Sequence, residues 1–233
     1  MKRRAKVIAI DGPSYVGKST IAQALARLTG YRYINTGHMY RAVARECMRK
    51  KQPVSDEASV VAAAKKMKIE FKRVKNRCLT LVNGRDVTGL LNAPELIRCA
   101  SKVAQIGRLR KILTGMQRSY ARRGFIIMEG RDIGTEVFPD AAWKFFITAD
   151  IKVRAMRMRK MLTPKDRKRY KDDRPLIQKV KELDRADTRR KIAPLRKAKD
   201  AIVYDNSDSP TAAQDAAALN SYLKNPKAAA WKK

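Results

Sequence analysis

Residues Gly12-Pro13-Ser14-Tyr15-Val16-Gly17-Lys18-Ser19 fit the pattern G-x-x-x-x-G-K-[ST]. They follow a short apolar run, residues 6–11, and open a helical one, residues 19–28, in which Ile21, Ala22, Ala24, Leu25 and Leu28 fall at helical spacing. A strand, a glycine-rich loop and a helix in that order form a phosphate-binding unit. The glycines let the backbone curl so that successive N–H groups face phosphate oxygens. The helix adds its positive N-terminal end. Lys18 reaches the β- and γ-phosphates as a point charge. Ser19 offers a hydroxyl to Mg²⁺, which keeps waters and phosphate oxygens as its other ligands. Gly12, Ser14, Tyr15, Val16, Gly17, Lys18, Ser19 and Thr20 are therefore expected to surround the phosphates of ATP. The loop alone does not choose among GTPases, motor ATPases and small-molecule kinases. The sequence has no guanine-reading N-K-x-D string, which weakens the first. A short chain with a basic lid favours the last.

The rest of the chain alternates strand-like and helical patterns. Strands are expected at residues 31–35, 125–128, 144–148 and 201–204, and helices at 36–50, 151–162, 175–190 and 211–223, with Ser209 before Pro210 as a cap-then-proline start. Residues 101–123 read as one long helix. Between them, residues 55–68 form an Ala-rich helix with Ser55 as a plausible cap, and residues 69–74 and 78–82 are β-like. The expected class is α/β: a P-loop kinase core whose parallel sheet is flanked by helices, with a small α+β insertion and a short basic lid. The core would comprise residues 1–50 and 101–225, the insertion 51–100, the lid about 163–175, and a basic tail 226–233.

The chain has 233 residues, of which 44% are apolar, enough for a core and against disorder. Fifty-four Lys and Arg against 22 Asp and Glu give +32, which points to anionic partners: nucleotides, and nucleic acid through the strong positive charge. Residues 1–150 hold 30 basic and 12 acidic side chains and residues 151–233 hold 24 and 10, so the charge is spread rather than gathered in a tail. No apolar window is long enough for a transmembrane helix, and the N-terminus lacks a signal-peptide core. Cys47, Cys78 and Cys99 are odd in number and far apart, and His38 is the single histidine. That argues against zinc and a disulfide framework and for a reducing, cytoplasmic setting. A monomer is the expected state.

Transfer between two nucleotides brings two polyanions together, and arginine grips phosphate with a planar fork. Arg41, Arg131 and Arg190 lie at element ends. Arg154 and Arg157 are three apart on one helix and share a face. Glu129 ends an apolar strand, where an acid would orient Mg²⁺ through its waters, and Asp132 follows three residues on.

Taken together, IDGPSYVGKST, INTGHMYR, ASKVAQ…RLR, EGRDIGTEVFPDA and DRADTRRKIAPL, in that order, resemble the bacterial cytidylate kinase family from about residue 6 to residue 205. The resemblance implies that the insertion binds the nucleoside monophosphate and that the γ-phosphoryl of ATP is transferred to CMP or dCMP with Mg²⁺. It implies that Arg41, Arg131 and Arg190 hold the acceptor's α-phosphate, and that Ser101, Arg110 and Asp132 read cytosine. Asp187 would bind the ribose, with Thr36 and Tyr40 lining the pocket. Lys18, Arg131, Arg154 and Arg157 would act on the transferred group. Two positions depart from the pattern: Tyr15 stands where the family has a glycine, and Leu183 where it has an arginine. Two other readings compete. One is a kinase-fold protein that binds RNA or a ribonucleoprotein, with weak or lost catalysis. The other is a kinase for another small acceptor, such as shikimate or gluconate, against which Ser101, Arg110 and Asp132 speak.

Overall fold

The computed structural model describes residues 5–75, 77–122, 124–170, 172–208 and 211–225. Its organising element is β1, Ala5–Asp11. In β1, Val7 and Ala9 face one side of the sheet and Ile8 and Ile10 the other, and all four are buried. A strand buried on both faces needs helices above and below. β1 lies between β6 (Ile126–Gly130) and β7 (Ala141–Thr148), with β2 (Arg32–Asn35) and β8 (Ile202–Asp205) outermost. Every pairing in this sheet is parallel. Register brings Asn35 beside Glu129, Ile10 beside Glu129 and Asp11 beside Gly130. The chemistry-bearing residues thus gather at the carboxyl ends of the strands, where open α/β sheets bind ligands.

On one face, α1 (Lys18–Thr29) and α9 (Ala212–Lys224) pack Ile21, Leu25 and Leu219 against Ile8, Ile10 and Phe145. On the other, Val7 and Ala9 form one apolar face with Ile34, Ile126 and Met128 of the neighbouring strands, against which Ile133, Val137 and Phe138 pack. A third apolar cluster joins α2 (Thr36–Arg49), α3 (Glu57–Lys65), α4 (Pro94–Val103) and α5 (Gly107–Ala121). A second, antiparallel sheet of β3 (Ile69–Val74), β4 (Arg77–Val82) and β5 (Arg85–Asp86) rests against it. The middle of the chain therefore shares its core with α2 and α5. It has none of its own, and α4 straddles the boundary expected at residue 100.

Several local expectations change. The long helix expected over 101–123 is two helices, because the chain breaks between Val103 and Gly107. Both halves send apolar side chains into the same cluster, so the periodicity runs through the break. α4 begins at Pro94, a residue whose missing N–H suits a first turn. Asp56 rather than Ser55 caps α3, its carboxylate accepting from the Ala58 N–H. Thr211 caps α9, accepting from Gln214 N–H; Ser209 and Pro210 lie outside the described residues, as does the tail 226–233. The charged stretch 163–175 contains a short helix, α7 (Pro164–Lys168), between α6 (Ile151–Met161) and α8 (Arg174–Arg189).

Candidate active site

Gly12 and Gly17 are fixed by close approach and by φ. A Cβ on Gly12 would come within 2.2 Å of the Ile147 carbonyl, and one on Gly17 within 2.5 Å of the Asn206 amide, with φ of +148° and +95°. Tyr15 also adopts a left-handed backbone, φ +63°. A non-glycine residue there costs on the order of 1–2 kcal/mol, so the loop holds its shape against local strain. Asn206, after β8, donates to the Val16 carbonyl at 2.7 Å. Arg157 donates to that same carbonyl at 3.1 Å and to Asn206 O at 2.7 Å. Neither Asn206 nor its contact with the loop is evident in a linear motif.

Lys18 is buried, its ammonium donating to the Pro13 carbonyl at 2.5 Å. Burial, with the charge of Arg131, brings its pKa down to about 7 against the pull of Glu129, Asp187 and Asp11. Asp11 is a second residue that the linear motif does not single out. Its carboxylate accepts from the Ile133 N–H at 2.9 Å and the Gly134 N–H at 2.7 Å. This fastens the tight helical turn Ile133–Val137 under the loop. Burial raises Asp11 to about 6.

Glu129 is buried at the end of β6, accepting from the Tyr33 hydroxyl at 2.5 Å. Burial and the Glu129 carboxylate hold the Tyr33 phenol protonated, well above its ordinary range, and Ser19 and Gln23 adjoin it. Ser19 and Glu129 thus meet around one hydroxyl and offer oxygen donors only. This donor set fits a hard cation such as Mg²⁺ that takes its remaining ligands from water and phosphate. No cluster of three or more His, Cys, Asp or Glu able to hold a metal occurs among the described residues.

The second half of the site is a set of arginines held by acids. Arg131 donates to Asp187 at 2.6 Å and to the Ser14 hydroxyl at 2.7 Å, which ties α8 to the phosphate loop. Arg154 is buried, forked onto Asp184 at 2.6 and 2.8 Å, with its Nε donating to Ser14 O at 2.8 Å. Asp184 is a further residue the sequence did not single out. Arg110 pairs with Asp132, both buried, and also donates to the Ala104 carbonyl at 3.2 Å, filling the end of α4. Arg190 stands 3.4 Å from the other Asp132 oxygen. Its Nη2, the atom that makes this ion pair, is buried and makes no hydrogen bond. Arg41 donates to Gly37 O at 3.1 Å.

These groups line one cleft of about 1070 Å³. Ser14, Tyr15, Gly17, Lys18, Ser19 and Thr20 border one end. Arg157 joins them through its bond to the loop, and Thr36, Tyr40, Arg41, Ser101, Arg110, Glu129, Arg131, Asp132, Asp187 and Arg190 line the same cleft. Gly12, Val16 and Arg154 stand behind the wall, where they shape the loop. Leu183 lines the cleft as well.

Among known proteins, the family model described as cytidylate kinase matches residues 8–221. The chain is 39% identical over 216 residues to the cytidylate kinase of Lactiplantibacillus plantarum, covering 89% of this chain and 90% of that protein. It is 40% identical over 200 residues to that of Caldicellulosiruptor bescii, covering 86% and 88%. A cleft sized for two nucleotides, a glycine loop at one end and a buried Arg–Asp pair at the other, together with these relatives, make the chain a member of the cytidylate kinase family, nucleoside monophosphate kinases that phosphorylate CMP from ATP.

Proposed function

We propose that the acceptor is read by Ser101, Arg110 and Asp132 and clamped by Arg41, Arg131 and Arg190. The observation that carries this is the buried Arg110–Asp132 pair, with Arg190 Nη2 ion-paired to the same carboxylate and left with no hydrogen bond of its own. Cytosine presents an N4 donor next to N3 and O2 acceptors. Asp132 accepts from the amine, and Arg110 and Ser101 donate to the acceptors. Uracil turns its O4 acceptor toward Asp132 and leaves two acceptors facing, at a cost of about 1–3 kcal/mol. Arg190 Nη2 finds its partner in an α-phosphate oxygen. Thr36 and Tyr40 close the pocket, and Asp187 meets the ribose.

At the other end the loop from Gly12 to Thr20, with Lys18 and Arg157, holds the ATP phosphates. Arg154 acts on the transferred group through the Ser14 backbone that it fixes. The Ser19 hydroxyl and, through water, Glu129 would hold Mg²⁺, which would supply neutralisation of phosphate charge. The nucleophile is already a phosphate oxygen, so no side chain need act as a strong base; positioning and charge stabilisation supply the catalysis. Leu183 provides no charge at the sugar end, so dCMP is accepted alongside CMP. The enzyme acts as a monomer in pyrimidine nucleotide metabolism in the cytoplasm, and its positive charge draws nucleic acid toward it.

The test is ADP release from MgATP with CMP, dCMP, UMP and AMP supplied separately. Turnover with CMP and dCMP, and a fall of the CMP-over-UMP preference by about ten- to a hundredfold in Asp132→Asn, is expected. The amide keeps the shape of the carboxylate, so an unchanged ratio in a folded variant would place base reading elsewhere.

A further inference from the structure

The phosphate loop carries one large side chain at its midpoint. Val16 is buried in the same apolar cluster as Ile21 and Leu25, and Ser14 is buried too, while Tyr15 between them is half-buried and lines the cleft. Its neighbours are fastened on both sides. Arg154 donates to Ser14 O at 2.8 Å, and Asn206 and Arg157 donate to Val16 O at 2.7 and 3.1 Å. These bonds hold the left-handed backbone of Tyr15, φ +63°, and with it the direction of the side chain. A glycine, the residue from which Tyr15 departs, would take this backbone without strain.

The surroundings of the side chain are cationic. The charges of Arg41 and Arg131 both reach the phenol, and burial, which outweighs them, keeps it protonated above its ordinary range. Among the described residues its hydroxyl makes no hydrogen bond. Arg131 is held by Asp187 and by the Ser14 hydroxyl. Arg41, from α2, forms no ion pair among the described residues, and its Nε donates to Gly37 O. A third cation at this point would be repelled by the other two. A hydroxyl adds a donor without adding charge, and hydrogen bonds to a charged acceptor are the strong ones. An unpaired neutral donor beside two arginines marks a place for an anion that accepts from all three.

We propose that the Tyr15 hydroxyl is a specificity-determining donor to the acceptor's phosphate, completing the clamp of Arg41 and Arg131 and selecting acceptors that already carry a phosphate. This rests on the acceptor-clamping role proposed for those arginines. The backbone of residue 15 then serves the ATP phosphates and its side chain the other nucleotide, so one strained residue ties together the two substrates of the transfer.

The test compares the wild type with Tyr15→Phe, which keeps the ring and loses only the hydroxyl. KM for CMP and for UMP should rise together by about tenfold. KM for MgATP and kcat should stay as in the wild type, because a contact made equally in the ground and transition states is lost. Cytidine, which has base and sugar but no phosphate, should inhibit both proteins with the same constant. Tm should be unchanged, since the hydroxyl has no partner in the free enzyme. An unchanged KM for CMP would overturn the proposal. Cytidine inhibition that weakens in step with CMP would mean that the hydroxyl shapes the pocket, and would overturn it too. A rise in KM for MgATP would put the hydroxyl on ATP, and a fall in kcat alone would put it on the transferred group; either removes it from the acceptor's phosphate. Arg41→Gln tests the arginine reading separately: KM for CMP should rise and cytidine inhibition should not change. If KM stays, that reading fails and the proposal with it; if it rises while Tyr15→Phe changes nothing, Tyr15 alone is misassigned. Failure of base reading shows elsewhere, in the CMP-over-UMP ratio of Asp132→Asn, a ratio that Tyr15→Phe leaves as in the wild type.

Discussion

Lys18 carries the loop's chemistry, and its surroundings make a measurable prediction. In the free enzyme burial lowers its pKa to about 7, so near pH 8 it is largely neutral. ATP phosphates favour the charged form and raise that pKa back toward its ordinary 10.5. Between those values the complex holds a proton that the free enzyme lacks, so binding takes up a proton. Calorimetry of MgATP binding at about pH 8 in two buffers of different ionisation enthalpy should show uptake. Lys18→Arg, charged throughout, should bind without it; no uptake in the wild type would mean the lysine is charged before ATP arrives. Tyr15 allows a second test. Tyr15→Ala loses the ring and keeps the left-handed strain, whereas Tyr15→Gly loses the ring and the strain. The glycine variant should be more stable than the alanine variant by about 1 kcal/mol in urea unfolding. Equal stability would show that the loop relaxes once the ring is gone.

Besides the apolar core they share, helix α2 and the insertion are joined by a buried polar contact, His38 Nδ1 with Thr80 Oγ1 at 2.7 Å. Burial, and then the charge of Arg41, bring His38 down to about 3 from 6.5. The unfolded chain binds a proton between those values and the folded chain does not, so stability falls as pH drops below about 6.5. The slope approaches 1.4 kcal/mol per pH unit. His38→Gln can still bond Thr80 and has nothing to titrate. Between pH 6.5 and 5 the wild type should lose about 1.6 kcal/mol more than the variant. Asp11, raised to about 6, stabilises toward acid over part of this range, but equally in both proteins. Parallel pH profiles would refute the buried neutral histidine. The strands and helices of the main sheet were legible in the sequence because each carries its own periodicity, and the phosphate loop because its chemistry is local. The division between α4 and α5 was hidden: Val103, Leu109 and Leu113 keep one apolar face through it. What shows the break is Arg110 reaching back to Ala104 O while pairing with Asp132. The roles of Asp11, Asp184 and Asn206 were hidden for a related reason. Each meets a partner far along the chain, Asp11 with Gly134 and Asn206 with Val16.

The whole molecule carries a repulsion that its catalytic task alone does not need. At +32 the folded state gathers like charges that the unfolded chain spreads apart. The site's own arginines are mostly neutralised: Arg110 by Asp132, Arg131 by Asp187, Arg154 by Asp184. These pairs are wholly or partly buried, and salt reaches them weakly. What salt screens is the exposed excess. Raising ionic strength from ~10 mM to ~1 M shortens the Debye length from about 30 Å to about 3 Å, and Tm should rise with it. A falling Tm would mean that surface ion pairs such as Arg49–Glu46 outweigh the repulsion. Sulfate should act twice, by screening and by occupying the phosphate loop, which adds stability by mass action. At equal ionic strength it should therefore raise Tm more than chloride does. Its general salting-out effect is shared by any variant, so the loop's part is the portion lost in Lys18→Met. If that variant responds to sulfate as the wild type does, the anion is not in the loop, and screening and exclusion alone account for the rise.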